Sequence, residues 1–288
     1  MVRKIKDAIL RFVHKSIYKP GHYYSTVPSL EEIEENKDAI FKDVLNVPDV
    51  DLREQEQLEL LKSFKDVEND IQFPKNKNAT DRYFYDNSFF MKGDAVALLC
   101  IIRTFNPKKI IEVGSGFSSC VCLDINERLY NNAIDLTFIE PYPERLYSVI
   151  KEKDKESLPL IQSKIQQVDL EIFKQLDEND ILFIDSSHVS KIGSDLNHIM
   201  FNILPVLKKG VVIHFHDICF PFEYPKQWID NGVFWNEAYL LRAFLMNNTS
   251  YKMLLWCHFV AVKHEAFLKE NLTQFNLMGG SFWIQKTA

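Results

Sequence analysis

The sequence of 288 residues is 46% hydrophobic and 26% charged, with a formal net charge of -6. This composition is typical of a folded globular protein and excludes a disordered or fibrous chain. The negative charge gives no attraction to phosphate backbones, so we expect no nucleic-acid partner and instead a small-molecule or glycan ligand.

The apolar runs and the cysteines indicate where the protein resides. The longest apolar runs, such as Ala95–Ile102, are far shorter than the roughly 20 residues that a transmembrane helix needs, and the first residues lack the features of a signal peptide. The five cysteines are scattered and lie mostly within apolar runs, which predicts buried reduced thiols rather than disulfides or a zinc site. The sequence therefore predicts a cytoplasmic protein without a transmembrane segment.

Residues 1–80 predict a helical N-terminal extension. From Val2 to Tyr18, apolar residues recur at helical spacing between basic ones, which indicates an amphipathic helix that either packs on protein or lies on an anionic membrane surface. Ser29, with glutamate three residues later, predicts a helix start, and a further helix is expected over 52–64. The polar run 74–81 is typical of a linker. We expect the extension to cap a pocket or to mediate a homodimer.

Residues 81–288 predict the main domain, a Rossmann-like doubly wound α/β fold. After a helix at 92–104, strands alternate with stretches long enough for crossover helices, and such alternation implies a mostly parallel sheet covered on both faces. Two β-rich runs at 251–262 and 280–285 predict a C-terminal antiparallel strand pair, separated by a short helix at 265–270. The predicted parallel strands are 109–113, 136–139, 165–168, 181–184 and 211–215, and the predicted crossover helices are 118–130, 143–153 and 192–207.

A glycine turn follows the first of these strands and leads into a helix, in the run Glu112-Val113-Gly114-Ser115-Gly116-Phe117-Ser118. Gly114 and Gly116 allow a tight turn and close approach of a ligand to the backbone, and the start of the helix offers unpaired amides. In the absence of a ligand the same pattern is simply a strand-to-helix turn.

Two further acids are expected at the ends of the next strands. Glu140 ends the second strand, where a carboxylate can accept both hydroxyl hydrogens of a ribose. Asp169 follows the predicted third strand and is placed to meet the edge of an adenine. Together with Glu112, these acids beside a glycine turn predict a nucleotide-type cofactor site.

With these residues the chain resembles the class I S-adenosylmethionine-dependent methyltransferases, from about residue 92 to residue 285. The resemblance implies S-adenosylmethionine as cofactor, with the glycine turn holding its methionine part, the acid after the second strand its ribose and the acid after the third its adenine. Ser118 stands where the fullest form of the glycine motif has a third glycine, and we count it with the cofactor-binding residues. The others that match by position are Glu112, Gly114, Gly116, Glu140 and Asp169.

Acids and histidines follow the fourth and fifth strands, as Asp185 and His188 after one and His216 and Asp217 after the other. Neighbouring strand ends bring them to one rim. An acceptor hydroxyl must lose its proton, so the site needs a general base, a metal ion, or both. His188 has a suitable pKa for the base, and Asp185 and Asp217 have the oxygen ligands that magnesium prefers.

In this cluster the chain is similar to metal-dependent O-methyltransferases of the catechol type and, more closely, of the type acting on macrolide sugars. The similarity implies that Asp185 binds metal, that His188 is the base, and that Asp217 completes the ligand set, with His216 as a candidate third ligand. Alternatively, Asp185 contacts cofactor or acceptor without metal, and His216 only forms hydrogen bonds within the rim. The predicted activity is O-methylation of a small-molecule or sugar hydroxyl.

An aromatic segment, residues 219–235 (CFPFEYPKQWIDNGVFW), follows the fifth strand. Its rings either cover the acceptor and exclude water, or anchor a long loop or a dimer contact; Glu223 and Glu237 are candidate polar contacts there. Two other functions compete: an NAD-dependent oxidoreductase, which predicts a parallel continuation of the sheet, and a catalytically inactive methyltransferase-like binding protein.

Overall fold

The structure, a computed structural model, describes residues 17–272 and 279–288. The basic helix predicted from Val2 to Tyr18 falls mainly on residues 1–16, outside the described residues. The chain forms two compact units, one of residues up to Leu45 with Glu223–Trp235, the other of Asn46–Phe222 with Asn236–Ala288. The domain boundary expected after residue 80 stays a prediction.

The smaller unit contains short helices and an aromatic cluster of Tyr224, Trp228 and Trp235. Its helices are α1 (Leu30–Glu35), α2 (Lys37–Ile40) and α9 (Lys226–Asp230). The predicted start of α1 is confirmed, because the Ser29 hydroxyl accepts the Glu32 N–H at 3.3 Å. Lys226 pairs with Glu34 at 3.1 Å and so joins the two chain segments of this unit.

The larger unit is built on a sheet of the strands β1 (Lys109–Val113), β2 (Asp135–Ile139), β3 (Leu160–Ile161), β4 (Ile181–Ile184), β5 (Val212–Phe215), β6 (Tyr251–Trp256) and β7 (Phe282–Lys286). Their order in this seven-stranded sheet is β3-β2-β1-β4-β5-β7-β6. The first five strands in this order run parallel, whereas β7 is antiparallel to both β5 and β6. The Rossmann-like fold and its terminal antiparallel pair are thereby confirmed, contrary to the parallel continuation that an NAD-dependent oxidoreductase predicts.

Helices cover this sheet. Strands β4 and β5 are buried along their whole length, as expected for strands covered on both faces. Helix α4 (Lys92–Phe105) is buried from Gly93 to Ile102 and packs against α3 (Glu54–Phe64), α5 (Phe117–Leu129) and α11 (Cys257–Lys263). The helices of this unit are α3 (Glu54–Phe64), α4 (Lys92–Phe105), α5 (Phe117–Leu129), α6 (Glu144–Val149), α7 (Asp195–His198), α8 (Leu204–Val206), α10 (Glu237–Leu245), α11 (Cys257–Lys263) and α12 (Glu265–Asn271), with a π-helical turn at Ile199–Ile203 and 3-10 turns at Glu152–Asp154, Ile165–Gln167 and Leu170–Gln175.

Two strand predictions are wrong. The run 165–168 forms a 3-10 turn, and the third strand is the two-residue β3 before it. The run 251–262 is a strand only as far as Trp256, after which Cys257 begins α11. The first run has only two apolar residues, Ile165 and Val168, and the second is apolar without a clear period. Burial of such residues alone does not distinguish a strand from a helical turn.

The five cysteines are unpaired and buried, as predicted. Across the part of the chain that is described, no helix is long and apolar enough to cross a lipid bilayer.

Candidate functional site

The glycine turn lies between the ends of three strands. Gly114, directly after β1, has a φ of +85°, a value that favours glycine. A Cβ atom on Gly114 would lie 1.7 Å from the backbone oxygen of Asp185, which follows β4. The Gly114 N–H donates to Ile139 O of β2 at 3.0 Å, and the Asp185 N–H donates to Val113 O at 2.9 Å. Glycine is therefore required here by both backbone conformation and space.

Gly116 differs from Gly114. Its φ of -176° is an extended value that any residue adopts. Its N–H donates to the Ser119 hydroxyl at 3.0 Å, which helps to begin α5.

Glu112 stabilises the glycine turn by hydrogen bonds to the start of α5. Its side chain is fully buried on β1, and Oε1 accepts the hydroxyls of Ser118 at 2.6 Å and Ser119 at 2.9 Å. Burial raises the pKa of Glu112 to about 8. Ser118 stands where the fullest glycine motif has a third glycine. Its hydroxyl donates to Glu112, the acid that precedes the turn, and this bond gives the serine a role that glycine could not have.

Two polar atoms at this turn are buried without a hydrogen-bond partner among the described residues, Glu112 Oε2 and Ser115 Oγ. Buried polar atoms without partners cost free energy unless a ligand or water satisfies them. Their place beside the glycine turn therefore fits a polar ligand.

Glu140 reaches back to the same turn from the end of β2. Its half-buried carboxylate accepts the Ser115 N–H through Oε2 at 3.1 Å and the Tyr142 N–H through Oε1 at 2.8 Å. The structure therefore brings together Glu112, Gly114 and Glu140, as the sequence predicts.

Asp169 does not end a strand, because the third strand stops at Ile161. It caps the 3-10 turn Leu170–Gln175, where its Oδ1 accepts the Glu171 N–H at 3.0 Å. Its contact with an adenine stays a prediction.

The rim beside the turn carries the second predicted cluster. His188 Nε2 lies 3.3 Å from Asp185 Oδ1 and 3.8 Å from Asp217 Oδ2, and His216 Nε2 lies 3.8 Å from Asp217 Oδ1. His188 and Asp217 both have left-handed backbone conformations, with φ of +59° and +57°. Such strain in non-glycine residues is found preferentially at functional sites.

Charges at this rim are mutually dependent. Burial opposes a proton on His188, but its hydrogen bonds to Asp185 and Glu237 outweigh this and raise its pKa well above the ordinary value. Burial likewise opposes ionisation of Asp185, but the charge of His216 and the bond to His188 hold its pKa below the ordinary value. Burial lowers the pKa of His216, yet nearby Asp185, Asp217 and Asp94 raise it overall. The rim is therefore an array of acids and imidazole rings whose proton affinities depend on one another.

Two acids of this array were not assigned these roles from the sequence. Glu237, on the first turn of α10, places Oε2 at 2.7 Å from His188 Nδ1. Asp94, on the first turn of α4, is buried and accepts the Ser281 N–H and hydroxyl at 3.0 and 2.6 Å. Glu237 lies 49 residues from His188 in the chain, and no local sequence signal joins them.

The predicted magnesium site does not fit the rim. The described residues contain no group of three or more His, Cys, Asp and Glu side chains that could hold a metal ion. Asp185 and Asp217 instead face the imidazole rings of His188 and His216 at 3.3 to 3.8 Å. Magnesium prefers a set of oxygen ligands, and two carboxylates paired with imidazole rings do not provide one.

The aromatic segment divides between the two units. Phe220 and Phe222 belong to the larger unit and pack on Trp256, with ring centroids 5.3 and 4.4 Å away. Tyr224 and Trp235 belong to the smaller unit, and both rings pack with Trp228. The first two rings therefore anchor the loop, which was one of the two expected roles.

The chain is similar to known proteins over much of its sheet. Residues 111–218 match a protein family described as a methyltransferase domain. A protein of Archaeoglobus fulgidus, described only as uncharacterised, is 35% identical over 198 residues, which is 63% of this chain and 86% of that protein.

Solved structures resemble it more distantly. The SAH-bound methyltransferase PaMTH1 of Podospora anserina has a TM-score of 0.43 at 16% identity, with 92% of this chain and 99% of that chain covered. The O-methyltransferase TomG of Streptomyces achromogenes, in complex with SAM, has a TM-score of 0.39 at 12% identity, with 90% and 100% covered.

The matched family segment begins within β1 and ends at Ile218. It therefore contains the glycine turn, Glu140 and the rim residues Asp185, His188 and Asp217, on the sheet described above. The chain therefore carries a methyltransferase domain over residues 111–218, in agreement with the predicted resemblance to the class I S-adenosylmethionine-dependent methyltransferases.

Proposed function

We propose that this chain transfers a methyl group from S-adenosylmethionine to a hydroxyl of a small molecule, in particular a sugar or glycan hydroxyl. The observation that carries the proposal is the His188 imidazole, held 3.3 Å from Asp185 on the rim beside the glycine turn. An alcohol acceptor needs a group that takes its proton, and an imidazole is well suited to this task.

The donor would be held by Glu112, the glycine turn and Glu140. The unpartnered atoms Glu112 Oε2 and Ser115 Oγ support this placement. When bound, S-adenosylmethionine supplies a methyl group activated by its sulfonium. Glu112 offers an acceptor for an ammonium group, and Glu140 offers one for ribose hydroxyls. Asp169 is included in the proposal as the contact to adenine.

On the acceptor side, His188 takes the proton of the hydroxyl as the oxygen–methyl bond forms and the methyl–sulfur bond breaks. Because its pKa is raised, His188 must first release its own proton. Asp185 then faces the imidazolium that forms, and the ion pair offsets the new charge. The reaction is a direct displacement at the methyl carbon.

The acceptor class is supported by the resemblance of the rim residues to those of O-methyltransferases that act on macrolide sugars. The buried reduced cysteines are compatible with the cytoplasm as its location.

Two variants test the proposal, Glu140→Ala for the donor and His188→Gln for the transfer. We expect wild-type protein to bind S-adenosylmethionine in calorimetry and Glu140→Ala to bind at least about tenfold more weakly, since a hydrogen bond to a charged group contributes about 1.5–3 kcal/mol. The control is Glu144→Ala, which removes an exposed glutamate four residues further on. Transfer is then measured as labelled methyl incorporated into a panel of sugar and catechol hydroxyls, with magnesium present or chelated.

We expect His188→Gln to keep donor binding but to lose about 100-fold or more in rate, the usual contribution of a general base. Equal rates with magnesium and with chelator are expected. Folded wild-type protein that does not bind the donor would refute the proposal. Donor binding without transfer to any acceptor would instead favour a catalytically inactive binding protein.

A further inference from the structure

We propose that Glu237 is a positioning residue for His188, one that fixes the orientation and the tautomer of the imidazole ring. This inference rests on the proposed function, because it concerns how His188 is made ready to accept a proton from the acceptor hydroxyl.

The contact is short and buried. Glu237 Oε2 lies 2.7 Å from His188 Nδ1, and the two side chains are 1% and 6% exposed. An ionised carboxylate has only acceptor atoms, so when Glu237 is ionised the hydrogen of this bond belongs to Nδ1. With Nδ1 engaged, Nε2 is the ring nitrogen left to exchange a proton at the rim, on the side of Asp185.

The backbone keeps the two residues in register. The carbonyl of His188 accepts the N–H groups of both Asn236 and Glu237 at 3.1 Å. The Asn236 side chain adds two bonds to the backbone of Ser190, accepting its N–H at 2.6 Å and donating to its carbonyl at 3.1 Å. The loop after β4 and the start of α10 therefore form one hydrogen-bonded unit.

The second oxygen of Glu237 argues against a purely structural contact. Oε1 is buried without a hydrogen-bond partner among the residues that the structure describes. An unsatisfied buried acceptor destabilises a fold, so this second oxygen carries a free-energy cost that an apolar side chain here would avoid. The left-handed φ of +59° at His188 adds a further cost. Such costs are expected where a side chain is held ready for chemistry.

Proton transfer gives the carboxylate its role. During transfer the acceptor proton moves to Nε2, the neutral ring becomes an imidazolium, and the methyl–sulfur bond breaks as the oxygen–methyl bond forms. Glu237 stabilises that imidazolium through Nδ1–H without itself taking the proton, the arrangement of a carboxylate behind a catalytic histidine. Glutamine in its place can still accept the Nδ1–H but cannot offset the charge.

The experiment compares Glu237→Ala and Glu237→Gln with the control Asp124→Asn. Asp124 is another buried carboxylate, bonded to Arg82 and the Tyr83 N–H and remote from His188 in its contacts. Nitrogen-15 NMR of labelled histidines reports the tautomer, with His188→Gln identifying the signal. We expect Glu237→Ala to lose the Nδ1–H signal of His188 and to fall about 100-fold in kcat with an unchanged KM for the donor, and Glu237→Gln to fall about tenfold.

We expect Asp124→Asn to lower the melting temperature while leaving the signal and kcat in place. In a His188→Gln background, Glu237→Ala should cause no further fall in kcat, because it acts through His188. An unchanged kcat or tautomer in Glu237→Ala, or additive losses in the double variant, overturns the positioning role alone. A wild-type protein that binds the donor but transfers no methyl group overturns the proposed function, and this role with it.

Discussion

Burial and donor binding are expected to shift the pKa of Glu112 in opposite directions. Burial raises its pKa to about 8, so the carboxyl is protonated at neutral pH in the free protein. A donor ammonium beside it would favour the ionised form. We therefore expect donor binding at neutral pH to release a proton, measured as a binding enthalpy that changes with the ionisation enthalpy of the buffer.

Glu112→Gln removes the titrating group but keeps the hydrogen bonds to Ser118 and Ser119 possible. We expect it to bind the donor more weakly and without buffer dependence, whereas Glu144→Ala should behave as the wild type. A wild-type enthalpy that is the same in every buffer would contradict this role for Glu112.

At this scale the sequence predicts donor-side residues better than contacts across the chain. Glu112, Gly114 and Glu140 come together because each follows or ends a recognisable strand. The roles of Glu237 and Asp94 are not predictable in the same way, because each meets the rim from the start of a helix. Glu237 lies 49 residues from its partner His188 in the chain, and Asp94 lies 187 residues from its partner Ser281.

Among the elements, the glycine turn after β1 packs closely against the backbone at the end of β4. A Cβ on Gly114 would meet Asp185 O at 1.7 Å, whereas one on Gly193 would meet no atom within 4 Å, although both residues have positive φ. We expect Gly193→Ala to cost about 1 kcal/mol from backbone conformation alone. Gly114→Ala should cost at least about 2 kcal/mol more, because backbone hydrogen bonds hold both sides of the contact.

Urea unfolding of the two variants measures this difference, and calorimetry with S-adenosylmethionine shows whether the turn still binds. Equal destabilisation by the two alanines would show that the strand ends can separate freely, contrary to the packing described here.

The elements that the sequence predicts well are those with clear boundaries. Strands β1, β2, β4 and β5 lie within one residue of their predicted bounds, since each is a short apolar run between turn residues or charges. The prediction of the third strand is wrong because β3 has only two residues. The apolar residues Ile165 and Val168 are buried, but they lie at a 3-10 turn and not in a strand.

For the whole molecule, the alternation of strands and helices predicts the parallel sheet, and the two last β-rich runs predict its antiparallel end. The grouping of Glu223–Trp235 with residues up to Leu45 is not predictable in this way. It depends on contacts such as Lys226–Glu34 between segments far apart in the chain, which leave no periodic signal in either segment.

The larger unit contains a buried ion network centred on Arg82. Arg82, 5% exposed in its side chain, donates to Asp124 at 2.8 Å and to Asp154 at 2.7 Å, and it also contacts Glu127. It therefore ties the segment before α4 to α5 and to the 3-10 turn after α6. Removing one partner of a buried ion network leaves charges uncompensated, so we expect Arg82→Ala to lower the free energy of unfolding by about 3–5 kcal/mol.

The matched control is Arg128→Ala, which removes a more exposed ion pair with Asp81 at 2.9 Å and should cost at most about 1 kcal/mol.

The pH dependence provides a second test. The hydrogen bond to Arg82 is the main cause that lowers the pKa of Glu127 to about 2, from an ordinary 4.5. A lowered pKa contributes stability above the ordinary value, and this stability is lost as the pH falls from about 4.5 through about 2.

The difference in unfolding free energy between wild type and Arg82→Ala should therefore be largest at neutral pH and shrink at about pH 3, when the carboxylates of the network begin to take up protons. Urea unfolding at both pH values measures it. If Arg82→Ala and Arg128→Ala destabilise equally, or if the difference does not depend on pH, the network does not hold these segments together, and the sheet and its helices alone account for the stability of the larger unit.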